Sequence, residues 1–110
     1  MRLQVRVSGR AERDVDVIFE WISKRSADGA ARWYAAYLES LRSLPNQAAN
    51  CATAPEADGL AMELRQILFR TRKGSVYRTL FIIRDSVIYI LGVRGQGQNL
   101  VTAEDLGLPE

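Results

Sequence analysis

With 110 residues, 47% of them apolar and 25% charged, and a formal net charge of +2, the chain has the makings of one globular domain spanning 1–110 rather than of a disordered tail or a highly charged scaffold. A domain of this size buries about two-thirds of its unfolded surface, which leaves room for a modest core. The start, Met1-Arg2-Leu3-Gln4-Val5-Arg6-Val7, alternates polar and apolar residues, which argues against a signal peptide, and no run approaches the ~18 apolar residues of a membrane span. One cysteine, Cys51, and no histidine leave no intrachain disulfide and no zinc site built on these ligands, so a protein of the reducing cytoplasm with neither metal nor cofactor is expected.

The alternation of Leu3, Val5 and Val7 with Arg2, Gln4 and Arg6 predicts a first strand with one buried face. Ser8 then caps a helix with Glu12 and Asp14 near its positive end and Lys24 and Arg25 in its last turn. Ala11, Val15, Ile18 and Ile22 form its apolar stripe, with Phe19 beside it. Ser26 to Gly29 breaks the pattern and offers Ser26 or Asp28 as a second cap. From there Ala31, Tyr34, Ala35, Leu38 and Leu41 repeat the helical spacing as far as Pro45. So short a break makes the two helices an antiparallel hairpin.

Trp21 and Trp33 fall off these stripes, to cover the sheet or to form an exposed anchor for a protein partner. Glu12, Asp16 and Glu20 share one helix face and read as a solvated face rather than a metal site. Asn46 to Ala61 has no periodicity and reads as a loop, with Cys51 an incidental small residue in it.

Three strand-like runs follow, Met62–Arg70, Val76–Ile83 and Val87–Val93, separated by gaps short enough for two hairpins. The last two are apolar on both parities, which predicts cover on both faces. Gly95 to Asn99 reads as mobile, and Thr102 to Asp105 as a short helical turn. The fold class is therefore α+β: a strand, a helix hairpin and a three-stranded antiparallel meander, with the helices packed on one mainly antiparallel sheet.

Charge is unevenly placed. Between Met62 and Arg94 seven basic residues stand against Glu63 and Asp85, giving +5 and leaving −3 for the rest of the chain. Within this basic third Arg65, Lys73, Tyr77, Arg78 and Arg94 are the candidates for contact with a partner or target. Arg65 and Arg78 either grip a phosphate or an acidic partner, or pair inside the fold with Glu63, Glu56 or backbone carbonyls. Tyr77 and Tyr89 read as core or sheet-surface residues before catalytic acids.

The order of elements and several phrases resemble the ParE/RelE toxin superfamily. The phrases are Ala11-x-x-Asp14-(x)3-Ile18, Ala30-Ala31-x-x-Tyr34, Leu44-Pro45, Pro55-Glu56, Glu63-Leu64-Arg65 and Tyr77-Arg78. The resemblance implies the toxin of a bacterial type II toxin–antitoxin module, neutralised in a hetero-oligomer by a cognate antitoxin and having no membrane partner. Within the superfamily the chain looks like the ParE branch, whose members inhibit DNA gyrase.

The alternatives are a metal-independent ribonuclease of the RelE type, acting on messenger RNA at the ribosome, or a decayed relative that only binds antitoxin. In the ribonuclease branch the third-strand arginine works with lysines on the preceding strand and with a late arginine and tyrosine. Arg78 fits the first of these, whereas the late positions fall near Gln96 and Thr102. Attack by a ribose 2′-hydroxyl needs a base near the working pH. Arginine stays protonated, no histidine is present, and Lys73 beside Arg72 in an exposed turn has nothing to bring its pKa down so far. Binding without RNA cleavage is therefore the expected mode of action.

Overall fold

The computed structural model describes residues 3–59, 63–72, 74–95 and 98. Strand β1 (Gln4–Val7) leads into helices α1 (Gly9–Ser23) and α2 (Ala27–Gln47), and strands β2 (Arg65–Phe69), β3 (Tyr77–Arg84) and β4 (Val87–Gly95) follow. The sheet order is β1-β4-β3-β2. The meander is antiparallel as expected, while β1 lies parallel to β4, so the sheet is mixed. The helix hairpin carries the chain from β1 across to β2 at the far edge, and the meander returns through β3 to set β4 parallel beside β1.

Ser8 caps α1 by accepting from the Ala11 N–H, and Ser26, not Asp28, caps α2 by accepting from Gly29. Lys24 stands at the C-cap and Arg25 beyond it, so no basic residue lies in the last turn of α1. Ala11, Val15 and Ile18 are buried, as their spacing predicts. The buried stripe of α2 is a different one from that expected: Ala30, Trp33, Tyr37, Ser40 and Leu44. Ala31 and Ala35 are exposed and Leu38 and Leu41 half-buried, because the helix is turned to bring the indole of Trp33 onto Phe69 and Tyr77. Ser40 tolerates burial by donating its hydroxyl to the Tyr37 carbonyl at 2.6 Å.

Pro45 does not end α2. A proline in the last turn costs one hydrogen bond, and Leu44 and Ala48, both fully buried against Phe81, Ile88 and Ile90, hold that turn in place. The stretch expected to be a loop contains two 3-10 turns, Ala48–Asn50 and Pro55–Gly59. It also forms a short antiparallel pairing with the outer edge of β2, through Ala54 N–H to the Leu64 carbonyl at 2.8 Å and Gln66 N–H to the Ala52 carbonyl at 3.0 Å.

The sheet is consequently covered on both faces. The helices bury one face through Phe81, Ile88 and Ile90 and through Phe69, Tyr77 and Val93. Ala54 and Leu64 cover the other, against Leu80, Ile82 and Leu91.

Two local irregularities set the geometry of β4. The β3–β4 hairpin turns on Asp85 and Ser86, both at positive φ (52° and 64°), the pattern of a two-residue turn whose twist suits a hairpin. Farther along, Phe81 faces Ile90 while Leu80 faces Gly92, so Leu91 is an extra residue in β4, a bulge. Beside this bulge the Val93 N–H donates to Asp14 of α1 at 3.0 Å, and the other oxygen of that carboxylate accepts from Arg10 at 2.9 Å. Together with the Ser8 N–H to Ile90 carbonyl bond of 2.9 Å, these fasten the start of α1 to β4. The Met62 start of the Met62–Arg70 run, the Gly95–Asn99 stretch apart from Gly95 and Gln98, and the Thr102–Asp105 turn lie outside the described residues.

Candidate functional site

The sheet brings two of the five candidate residues side by side. Arg78 on β3 and Arg94 on β4 are cross-strand partners, and side chains directly opposite in an antiparallel pair share one face. On that face Arg78 meets Glu56, which hangs from the second 3-10 turn with no exposed side-chain surface. The guanidinium donates to both carboxylate oxygens at 2.8 Å and to the Gln66 side-chain carbonyl at 3.0 Å. This is a bidentate, charge-assisted pair. It fastens the covering stretch to the sheet, and Arg94 lies half-buried across from Arg78.

Arg65 stands apart at the start of β2, opposite Phe81. It donates to the carbonyls of Ala49 (3.2 Å) and Cys51 (2.7 Å) and pairs with Glu63 at 2.8 Å. The internal pairing is thus what both Arg65 and Arg78 adopt. Burial pushes the Cys51 thiol up, against a smaller opposing influence from Arg65, which leaves it a poor nucleophile. Lys73 lies outside the described residues.

Tyr77 opens β3 on the helix face, inside an aromatic cluster with Trp33 (5.4 Å between ring centroids) and Phe69 (5.8 Å). Burial raises its phenol pKa, which suits packing better than proton transfer near neutrality. Trp33 is 3% exposed, a core residue; Trp21, at 56%, stands out from α1 with the Arg25 guanidinium 3.9 Å from its ring centroid.

Of the hollows that border the helices, two are lined in part by α1. One, of about 300 Å³, lies between α1 and α2 and is lined by Glu12, Asp16, Tyr34, Tyr37 and Leu41 among others. There burial, with Tyr34 and Glu12 adding to it, pushes the Tyr37 phenol up to about 12. The other, of about 280 Å³, lies at the end of the sheet between Val17, Ile18 and Trp21 of α1 and Tyr77, Gly95 and Gln98. Among the described residues no group of three or more acidic, cysteine or histidine side chains converges to hold a metal ion. No helix among them is long and apolar enough to cross a membrane.

Residues 5–100, from the first strand through the last, match the family model described as the ParE toxin of the type II toxin–antitoxin system, parDE. The chain belongs to this ParE toxin family. It is therefore the toxin of a type II toxin–antitoxin system, and that membership implies an antitoxin as its partner. No curated protein matches the chain.

Several of the phrases that carry the resemblance lie at seams of the toxin fold. Ala11, fully buried, lets α1 approach Ile88 and Ile90, and Asp14 caps the bulge. Leu64 packs with Ala54 against Leu80, Ile82 and Leu91, and Glu56 pairs with Arg78. Sequence reasoning named Glu56 as a possible partner of Arg78. It missed Gln66, whose parity on β2 with Leu68 opposite Arg78 was the available signal.

Proposed function

We propose that this toxin acts by binding and inhibiting DNA gyrase, without cleaving RNA, and that a cognate antitoxin neutralises it in a hetero-oligomer within the bacterial cytoplasm. The gyrase target is the one implied by resemblance to the ParE branch. The observation that carries binding over cleavage is the state of Arg78, the residue matching the third-strand arginine of the ribonuclease branch. Its guanidinium is engaged by a buried carboxylate through two 2.8 Å bonds, so gripping an RNA phosphate would require stripping Glu56 from it and stranding a buried charge.

The neighbouring acid–base candidates fit cleavage no better. Tyr77 is held in an aromatic cluster with a raised pKa, and the chain has no histidine to serve as a base at neutral pH. Arg94, opposite Arg78 on the same face, is the candidate for target contact.

The test sets purified toxin against gyrase supercoiling of a plasmid and, separately, against ribosome-bound messenger RNA. Inhibited supercoiling with intact messenger is the expected result, and Arg94→Ala is expected to weaken it. Site-specific messenger cleavage with supercoiling unaffected would replace this reading with the ribonuclease one, and inactivity in both assays would favour a relative that only binds antitoxin.

A further inference from the structure

Strand β2 is an edge of the sheet, and the covering stretch guards only half of it. The Ala54 N–H reaches the Leu64 carbonyl and the Gln66 N–H the Ala52 carbonyl, on either side of the Thr53–Arg65 bridge. Successive residues of a strand turn their backbone groups to opposite edges. Leu64 and Gln66 therefore face outward, Leu68 and Arg70 face outward with them, and Arg65, Ile67 and Phe69 face β3. Past the bridge the Gln66 carbonyl, both backbone groups of Leu68 and the Arg70 N–H point away from the sheet, and no strand among the described residues lies beside them.

Such an edge is a template for another strand, which proteins commonly blunt with lysine, proline or a bulge. From Gln66 to Arg70 there is neither lysine nor proline, and the pairing with β3 runs without a register shift. Leu68, 57% exposed, stands at the middle of this window. The window is also self-complementary. Turned antiparallel about a twofold axis at Leu68, a second β2 sets Leu68 against Leu68 and Gln66 against Arg70. Each Leu68 N–H then meets the other copy's Leu68 carbonyl, and each Arg70 N–H the other copy's Gln66 carbonyl, which uses every one of these groups once. Longer pairing is blocked at one end by the 52–54 chain and at the other by the turn that the Gly74 N–H closes on the Thr71 carbonyl at 3.1 Å. The opening thus fits a strand of its own length.

The helix side of the edge suits the same occupant. There a hollow of about 350 Å³ runs between α2 and β2, and its α2 wall includes the small residues Ala36, Ser40 and Ser43. The two serine hydroxyls donate to the Tyr37 and Ser40 carbonyls of their own helix at 2.6 and 2.8 Å, so covering them strands no donor. The charged residues on the hollow, Glu39 and Arg70, are of opposite sign. A surface of mixed sign meets its own copy without net repulsion, whereas an acidic or a basic peptide would be drawn to a groove of one sign.

We propose that two copies of this chain pair antiparallel through β2, joining their four-stranded sheets into one continuous sheet with Leu68 at the twofold axis. The interface is isologous, the same patch serving both copies, which closes the assembly at a dimer. Burial of the two Leu68 side chains and approach of the two α2 helices over the hollow add the apolar contact that backbone bonds alone do not supply.

Sedimentation velocity of the full-length toxin, freed of antitoxin, over a wide range of concentrations is the test. A reversible dimer is expected. Leu68→Lys, which sets like charges directly opposite, should raise its dissociation constant roughly tenfold or more, and Leu68→Pro, which removes the donor without adding charge, should do the same. In the parent, hydrogen exchange at the Leu68 and Arg70 amides should slow as the dimer fills. Should Leu68→Pro lose the parent's circular dichroism, Leu68→Lys and the exchange measurement decide without it. A monomer at every concentration would overturn the proposal, as would a dimer indifferent to the substitutions or one in which the two amides exchange as fast as in the monomer. Protection of these amides that appears only when the antitoxin is added would overturn it in favour of a strand from that partner.

Discussion

Glu56 and Arg78 sit 22 residues apart in the chain and meet through two 2.8 Å bonds, the Glu56 side chain without exposed surface and the Arg78 side chain 17% exposed. An ion pair of this kind is weak evidence of net stability, because desolvation offsets much of the Coulombic gain, yet removing one member strands the other. Arg78→Ala is accordingly expected to lower the unfolding free energy by about 3–5 kcal/mol. Glu56→Gln should cost less, since the amide oxygen still accepts a hydrogen bond. The double replacement Glu56→Met/Arg78→Met should lie closer to the parent than Arg78→Ala does, because no charge is left unanswered. Urea unfolding of these variants decides the matter, and a loss for Arg78→Ala of about 0.5 kcal/mol, the level of an ordinary surface change, would show that the pair does not fasten the fold. This control must precede any reading of Arg78 variants in a toxicity assay.

Among the elements, α1 is legible because its signals are local. Ser8 caps it, an apolar stripe follows at intervals of four and three, and the structure buries Ala11, Val15 and Ile18 as that spacing requires. What was not legible depended on contacts from elsewhere in the chain. The face that α2 buries is chosen by Phe69 and Tyr77, which receive Trp33, and its continuation past Pro45 is supported by sheet residues under Leu44 and Ala48. The covering stretch looked structureless because two turns and a three-residue pairing have no period to detect. Asp14 belongs to both groups: its place in the first half of α1 suggested a dipole role, while the bulge in β4 gives it the Val93 amide to hold. Asp14→Ala is therefore expected to speed hydrogen exchange at Val93 selectively, leaving the Gln4-to-Ser86 end of the β1–β4 pairing protected, with a stability loss of about 1–3 kcal/mol for an amide left buried without a partner. Unchanged exchange at Val93 would mean that the carboxylate is incidental to the bulge.

At the scale of the whole molecule, the sequence located the basic, strand-rich region but not its state. Arg65 and Arg78 could be picked out as arginines on strands, while the finding that both are turned to internal acceptors needed the covering stretch in place. Trp21 was legible as a residue off the apolar stripe, while the choice between covering the sheet and standing exposed was made only by the fold, which leaves Trp21 56% and Val17 68% exposed. The assembled fold also carries buried polar atoms without hydrogen-bond partners, Trp33 Nε1 and Thr79 Oγ1, each costing about 1–3 kcal/mol. A domain of this size has little stability in reserve. Large side chains remain exposed on the helices and on the sheet edge, Leu68 of β2 among them at 57%. A toxin so constituted gains from its antitoxin in proportion to occupancy, since a ligand that binds the folded state at 100 times its dissociation constant adds about 2.7 kcal/mol. Coexpression with the product of an adjoining short reading frame should therefore yield a copurifying complex, and its melting temperature should exceed that of the free toxin by roughly 4–8 °C for each kcal/mol gained. Because binding is linked to folding, the increment should grow as antitoxin is added in excess. A toxin that purifies alone beside every neighbouring product, with a melting temperature indifferent to each, would separate this chain from the partnership its family implies.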